Sequence, residues 1–217
     1  VSAVLVVHPA VGHDEAEHDK FSRFRRGVPP KTKGDYAFIL HMIETLKPKS
    51  GRMGVVVPHG VLFRGASEGK IRQKLIEENL LDAVVGLPEK MFYGTGIPAA
   101  ILIFKKDKPD NTVLFIDASN ECKAGKNQNI LTEENIAKII SSYRDRAEYA
   151  KYSHIASAEE IKKNDYNLNI PRYVDTFEEE EEVDLMAVRA EREQLKVQLT
   201  KLENEMAIYL EELGYGA

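Results

Sequence analysis

The chain has 217 residues, 30 Lys and Arg against 35 Asp and Glu, a formal net charge of −5, and 43% hydrophobic residues. That is apolar content for one packed domain with an appendage, and the weak negative charge leaves room for DNA contact only as a local patch. The single cysteine, Cys122, excludes an intramolecular disulfide, and no stretch reaches the roughly twenty apolar residues of a membrane helix, so a cytoplasmic protein is expected.

Residues 1–7 (VSAVLVV) read as a strand, broken by HPAVG at 8–12. The stretch lacks the basic flank and length of a secretory signal, and a start on Val points to a processed or excised chain. Left at a sheet edge, such a strand is a template for pairing, so self-association through it, or poor order, is expected. The acidic segment 14–19, with His13 and His18, reads as a solvated loop rather than a metal site, because no second ligand cluster supports it. Residues 20–33 turn basic, with Lys20, Arg23, Arg25, Arg26, Lys31 and Lys33 around Phe21 and Phe24. Gly27, Pro29, Pro30 and Gly34 make this a loop. A helix is predicted over 35–47, its apolar stripe formed by Tyr36, Ile39, Leu40, Ile43 and Leu46.

Residues 51–106 organise the rest. Three apolar runs, 53–57, 80–85 and 99–104, are short, rich in Val, Ile or Leu, and bounded by Gly or Pro. Such runs predict strands buried on both faces. Between the first two, Ile71, Leu75 and Ile76 fall at helical spacing, which makes a βαβ crossover. The third follows a loop too short for a crossover helix, so it is expected to run antiparallel and close the sheet. Ligands of open α/β sheets bind beyond the carboxyl ends of the strands. Here those ends carry PHGVLF (58–63) and GLPEKMFYGTGIP (86–98), loops of Gly, Pro and aromatics suited to a flat ligand. Gly94-Thr-Gly96 precedes a strand rather than a helix, which is poor context for a dinucleotide loop.

A further strand is predicted over 112–117, then a polar loop over 118–129. A helix follows, with Thr132 as N-cap and Ile136, Ile139, Ile140 and Tyr143 on its buried face. A short helix over 158–163 leads to a segment whose alternation of Tyr166, Leu168 and Ile170 predicts extended chain. The acidic run 178–182 reads as a solvated linker. Beyond it, Leu185, Val188, Leu195, Leu199, Leu202, Met206, Tyr209 and Leu213 recur on alternate three- and four-residue steps, with Arg192 at one position. That is a coiled-coil seam on a helix about 45 Å long. Alone it exposes too much apolar surface, so it folds back, pairs with itself, or pairs with another subunit.

Four motifs in fixed order carry a family resemblance: GVPPKTKGDYAFILHM (27–42), VPHGVLFRG (57–65), FYGTGIPAA (92–100) and NDYNLNIPRY (164–173). From about Asp19 to its C-terminus the chain resembles the modification subunit of type I restriction–modification systems, an N6-adenine DNA methyltransferase. The resemblance implies an α/β fold: an incomplete Rossmann-like methyltransferase sheet, mostly parallel with an antiparallel final strand, followed by a C-terminal helical arm. It implies a catalytic half over 1–120, an extension over 121–177, and a linker with heptad helix over 178–217. It implies S-adenosylmethionine as methyl donor, bound mainly by a half of the sheet that should precede residue 1. The implied partners are double-stranded DNA, a restriction subunit, and a specificity subunit gripped through Leu195, Leu199, Leu202, Met206, Tyr209 and Leu213.

Enzymes of this kind place Asn or Asp, Pro, Pro and an aromatic after a strand, to accept the adenine amine protons and stack the flipped base. His8 and Pro9 occupy the first two positions here, and Ala10 and Val11 the others. Val11 cannot stack, and His8 lacks amide geometry. Either this site is dead or residues 1–12 are not the native strand. The resemblance then leaves Phe63, Phe92 and Tyr93 as base contacts, with Lys20, Arg23, Arg25, Arg26, Lys31 and Lys33 as phosphate contacts. Two other readings compete: a non-catalytic assembly or DNA-clamp module, and an unrelated α/β nucleotide-binding enzyme, which the want of a phosphate loop disfavours.

Overall fold

A computed structural model describes residues 16–176 and 185–215. The chain divides into two compact units, Val1–Phe177 and Glu178–Ala217. The expected strand over 1–7, its self-association, His8, Pro9 and the linker 178–182 lie outside the described residues.

The three apolar runs form β1 (Arg52–Pro58), β2 (Leu81–Gly86) and β3 (Ala99–Lys105), joined by β4 (Thr112–Asp117) and β5 (Ser153–Ser157) in one sheet ordered β1-β3-β2-β4-β5. Strand β3 is antiparallel to both β1 and β2, as its short approach loop requires. It does not close the sheet at an edge but is inserted between β1 and β2. The crossover from β1 to β2 leaves a gap one strand wide, and β3 fills it. Strand β2 pairs parallel with β4, and β5 pairs antiparallel with β4. Because β2 has a strand on each side and apolar clusters on both faces, every one of its residues is buried.

Helices α1 (Asp35–Thr45), α2 (Gly60–Phe63) and α3 (Ala66–Glu77) cover one face. Tyr36, Ile39, Leu40, Ile43, Ile71, Leu75 and Ile76 pack there on Val55, Val57, Val84, Leu102 and Phe104. Helix α4 (Glu133–Asp145) covers part of the other face through Ile139 and Tyr143. Thr132 caps it in a reciprocal box with Asn135. The buried stripe is narrower than expected, since Ile140 is 41% exposed. Strand β5, from the segment expected as an extension over 121–177, adds an edge strand to the same sheet.

After α5 (Ala158–Lys163), the NDYNLNIPRY segment is not a strand. Asp165 and Tyr166 take positive φ, Leu168 N–H donates to Leu62 O at 2.9 Å, and Ile170–Arg172 is a 3-10 turn. Its alternation comes from Leu168 and Ile170 entering the core, not from a ladder. Tyr173 ends it, stacked on Phe115 with centroids 3.9 Å apart. In the second unit, α6 (Leu185–Glu212) is one helix of 28 residues with no buried residue. No helix among the described residues is long and apolar enough to cross a membrane.

Candidate functional site

Strands β1, β2 and β4 run in the same direction, so their C-terminal ends, and the start of β3, meet at one end of the sheet. Backbone bonds lock these ends together: Leu87 N–H donates to Ala99 O at 2.9 Å, and Ala118 N–H to Gly86 O at 3.1 Å. Gly86 lets Ile170 pack tightly against the strand, because a Cβ there would lie 2.6 Å from Ile170 Cδ1 and push that side chain aside. The NDYNLNIPRY segment thus packs directly under the strand ends.

The expected aromatics all sit at this end. Phe63 closes α2 and is 46% exposed, Tyr93 is 82% exposed, and Phe92 is half-buried in the bridge it forms with Thr95. Exposed ring faces on loops at the strand ends are what stacking on a planar ligand needs. Two charged clusters hold the frame behind them. Arg64 donates to Asp35 at 2.5 Å and to Glu68 at 2.5 Å, tying the start of α1 to α3. Arg72, buried, donates to the carbonyls of Val61, Arg64 and Tyr166.

The basic loop is split. Arg25 and Arg26 reach Glu44, near the end of α1, and Glu78, just past α3. Both helices run away from the aromatic loops toward the opposite end of the sheet, so these arginines lie far from the candidate site. Arg26 is also buried, its side chain 1% exposed. A guanidinium buried in this way is not presented to a phosphate, which corrects the expectation for Arg26; Arg25 is exposed beside it. Arg23 is held by Asp19 at 2.5 Å. Lys31 and Lys33, next to the start of α1, are exposed at the aromatic end, and Lys20 is exposed on the loop.

Two features escaped the sequence reading. The loop after β4, 118–131, folds over the FYGTGIP loop: Asn129 N–H donates to Lys90 O at 2.8 Å and its side-chain amide to Glu89 O at 3.0 Å. The other is His59, at the end of β1. Its Nε2 is buried without a hydrogen-bond partner among the described residues. Burial pushes its imidazole below the usual 6.5, against smaller upward pulls from the Ala99 carbonyl and the Asp117 carboxylate. The folded protein therefore holds His59 neutral while the unfolded chain takes a proton as pH falls. This contribution to stability is complete above pH 6.5 and is lost as pH falls from 6.5 toward the lowered folded value. Urea unfolding between pH 8 and pH 5 should show that loss, and His59→Asn should flatten it. An identical pH slope in the variant would contradict the assignment.

Residues 5–182 match the family model of the N-6 DNA methylases. The MjaVII type I restriction enzyme methylase subunit of Methanocaldococcus jannaschii is 39% identical over 197 residues, covering 88% of this chain and 33% of that protein. The MpnII methylase subunit of Mycoplasma pneumoniae is 36% identical over 160 residues, 73% of this chain and 29% of that protein. The chain thus spans about a third of the length of the curated relatives it matches. Among solved structures, the type I restriction–modification methyltransferase subunit from Streptococcus thermophilus is similar with a TM-score of 0.74 at 47% identity, over 81% of this chain and 38% of that one. The match to the family model runs from the N-terminal segment through the whole sheet and the NDYNLNIPRY segment, and the chain belongs to the N-6 DNA methylase family.

Proposed function

We propose that this chain is the target-base side of a type I restriction–modification methyltransferase subunit that methylates adenine N6 in double-stranded DNA, and that it is inactive without the donor-binding part of such a subunit. The observation that carries the reading is the convergence of Phe63, Phe92 and Tyr93 at the C-terminal end of one sheet. An adenine inside a duplex is unreachable; flipped out, it needs aromatic faces to replace its lost stacking. The two loops supply such faces on a frame braced by Arg64 and Arg72. The exocyclic amine is a weak nucleophile because its lone pair is delocalised into the ring. Acceptors placed on its two N–H bonds free that pair, which is the work of the Asn- or Asp-Pro-Pro-aromatic tetrapeptide in enzymes of this kind.

S-adenosylmethionine supplies the methyl group in such enzymes, and the residues of this chain contribute the acceptor side. In the complex it would work in the cytoplasm with a specificity subunit and a restriction subunit.

In a subunit extended to the length of its relatives, Phe92→Ala and Tyr93→Ala should lower methylation about 10- to 100-fold, the worth of one lost base stack, and lower duplex binding far less. Equal losses of both would count against the reading. Isothermal titration with S-adenosylmethionine should show no heat with this chain alone and binding with the extended subunit. The non-catalytic clamp reading draws on Val11 at the stacking position; an Asn-Pro-Pro-aromatic in the parent gene would remove it.

A further inference from the structure

The loops after β2 and β4 enclose a cleft of about 600 Å³, lined among others by Lys90, Phe92, Gly94, Gly125, Lys126 and Asn127. Its second wall is built, not loose. Lys123 and Ile130 exchange backbone hydrogen bonds at 2.9 and 3.0 Å, making residues 123–130 a hairpin. The tip is tight, since a Cβ on Gly125 would lie 2.1 Å from Gln128 O. Gln128 Nε2 donates to Met91 O, and Asn129 holds Glu89 and Lys90, so the hairpin is fastened to the loop that carries Phe92.

The first wall carries Glu89, Lys90, Phe92 and Thr95, and its backbone is bare at two glycines. Gly94 sits at φ +76 with open space where a Cβ would stand, and Gly96 is almost as open. A chain of linked groups can approach such a wall closely. Positive charge stands on both sides. Lys126 is exposed and has no salt-bridge partner among the described residues. Lys90 faces Glu89 at 3.4 Å, but both are about 60% exposed, so that pair is weak and can yield to another anion.

We propose that this cleft binds the sugar–phosphate backbone of DNA next to the flipped base, with Lys90 and Lys126 each contacting a phosphate. The inference rests on the function proposed above. A cleft that shares Phe92 with the base-stacking loop lies within a nucleotide or so of the target. A wall bare at two glycines, with two flanking amines, reads charge and shape, not base edges. The hairpin would then set the register of the duplex rather than choose its sequence.

The test uses the assembled full-length methyltransferase carrying Lys90→Asn and Lys126→Ala, with Lys126→Arg as control. Asparagine is chosen because Lys90 has φ 54, a conformation that Asn tolerates. Duplex affinity is measured from 50 to 200 mM salt, and single-turnover methylation at saturating DNA. The double variant should bind cognate and non-cognate duplex more weakly by the same factor. Its slope of log affinity against log salt should be shallower by about 2, close to 0.9 for each phosphate that is no longer neutralised. Single-turnover methylation at saturating DNA should fall by a smaller factor than the affinity, and Lys126→Arg should retain wild-type binding. A wild-type salt slope in the double variant overturns the proposal, as does a methylation defect at saturating DNA without a change in slope. Failure of the underlying reading is distinguishable, because the unaltered enzyme would then not methylate adenine in duplex DNA.

Discussion

Replacing Arg26 with alanine should cost about 3 kcal/mol of folding stability, read as a lower urea midpoint at constant slope. Arg26 is the most buried charge of the basic loop. Its Nε and Nη2 donate to the two oxygens of Glu78 at 3.0 and 2.6 Å, and its Nη1 donates to Glu44. The guanidinium clamps the far ends of α1 and α3 together. Removing one partner of such a network leaves carboxylates without a counter-charge, which typically costs 3–5 kcal/mol. Glu44 and Glu78 are 23% and 34% exposed, and Arg25 remains within 3.4 Å of both, so the lower end of that range applies. Arg26→Lys keeps the charge but not the two-pronged geometry, and should recover only part of the loss. Glu44 adds a pH signature. Burial would raise its carboxyl, but Arg26, joined by Arg25 and Lys106, outweighs this and holds it below 4.5. That stability is present above pH 4.5 and is lost as pH falls below it, so Arg26→Ala should lose this acid-sensitive step. A variant with wild-type stability and a shallower salt dependence of DNA binding would restore Arg26 as a phosphate contact.

Arg26 also shows where reading a sequence stops. A basic run in a Gly- and Pro-rich loop looks like solvent-facing charge, and nothing local reveals acceptors 18 and 52 residues away. Asp82 is the same case within a strand. It interrupts an apolar run, yet it is 2% exposed, because Tyr143, Lys105 and Arg146 reach it at 2.6, 2.8 and 3.0 Å. The strands β1, β2 and β3 were legible from their short Val, Ile and Leu runs, but only β2 is buried on both faces as expected; edge strand β1 and strand β3 alternate between buried and partly exposed residues. Their order was not legible, since a short loop dictates antiparallel direction and says nothing about edge or interior. Strand β5 carries SHIAS, with no apolar run at all; it lies at the sheet edge and needs only half its side chains inside. The aromatic loops were legible from composition and from strand direction. The hairpin over them was not, because its anchors are backbone carbonyls, which leave no mark in a sequence.

On the proposal that α6 holds a specificity subunit, replacing its Leu199 and Leu202 by aspartate should abolish that capture while leaving the unfolding of the sheet unchanged. None of the residues of α6 is buried, and the seam from Leu195 to Leu213 is 56–70% exposed. A helix gains most of its stability from a packed face, not from its own hydrogen bonds. Surface pairs such as Lys196–Glu193 and Lys201–Glu205 add only a few tenths of a kcal/mol each. The missing stabilisation must come from a surface that covers the seam. Burying each leucine is worth about 1.5–3 kcal/mol, so losing two, with two charges in their place, should weaken the complex at least about 100-fold. Co-purification and titration calorimetry with the specificity subunit read this directly. Sedimentation equilibrium of the chain alone separates the rival occupant: a wild-type dimer that the substitutions dissolve would mean the seam pairs with a second copy of itself. Retained binding with no change in assembly would mean that the seam, however regular its spacing, is not the surface through which this chain is held.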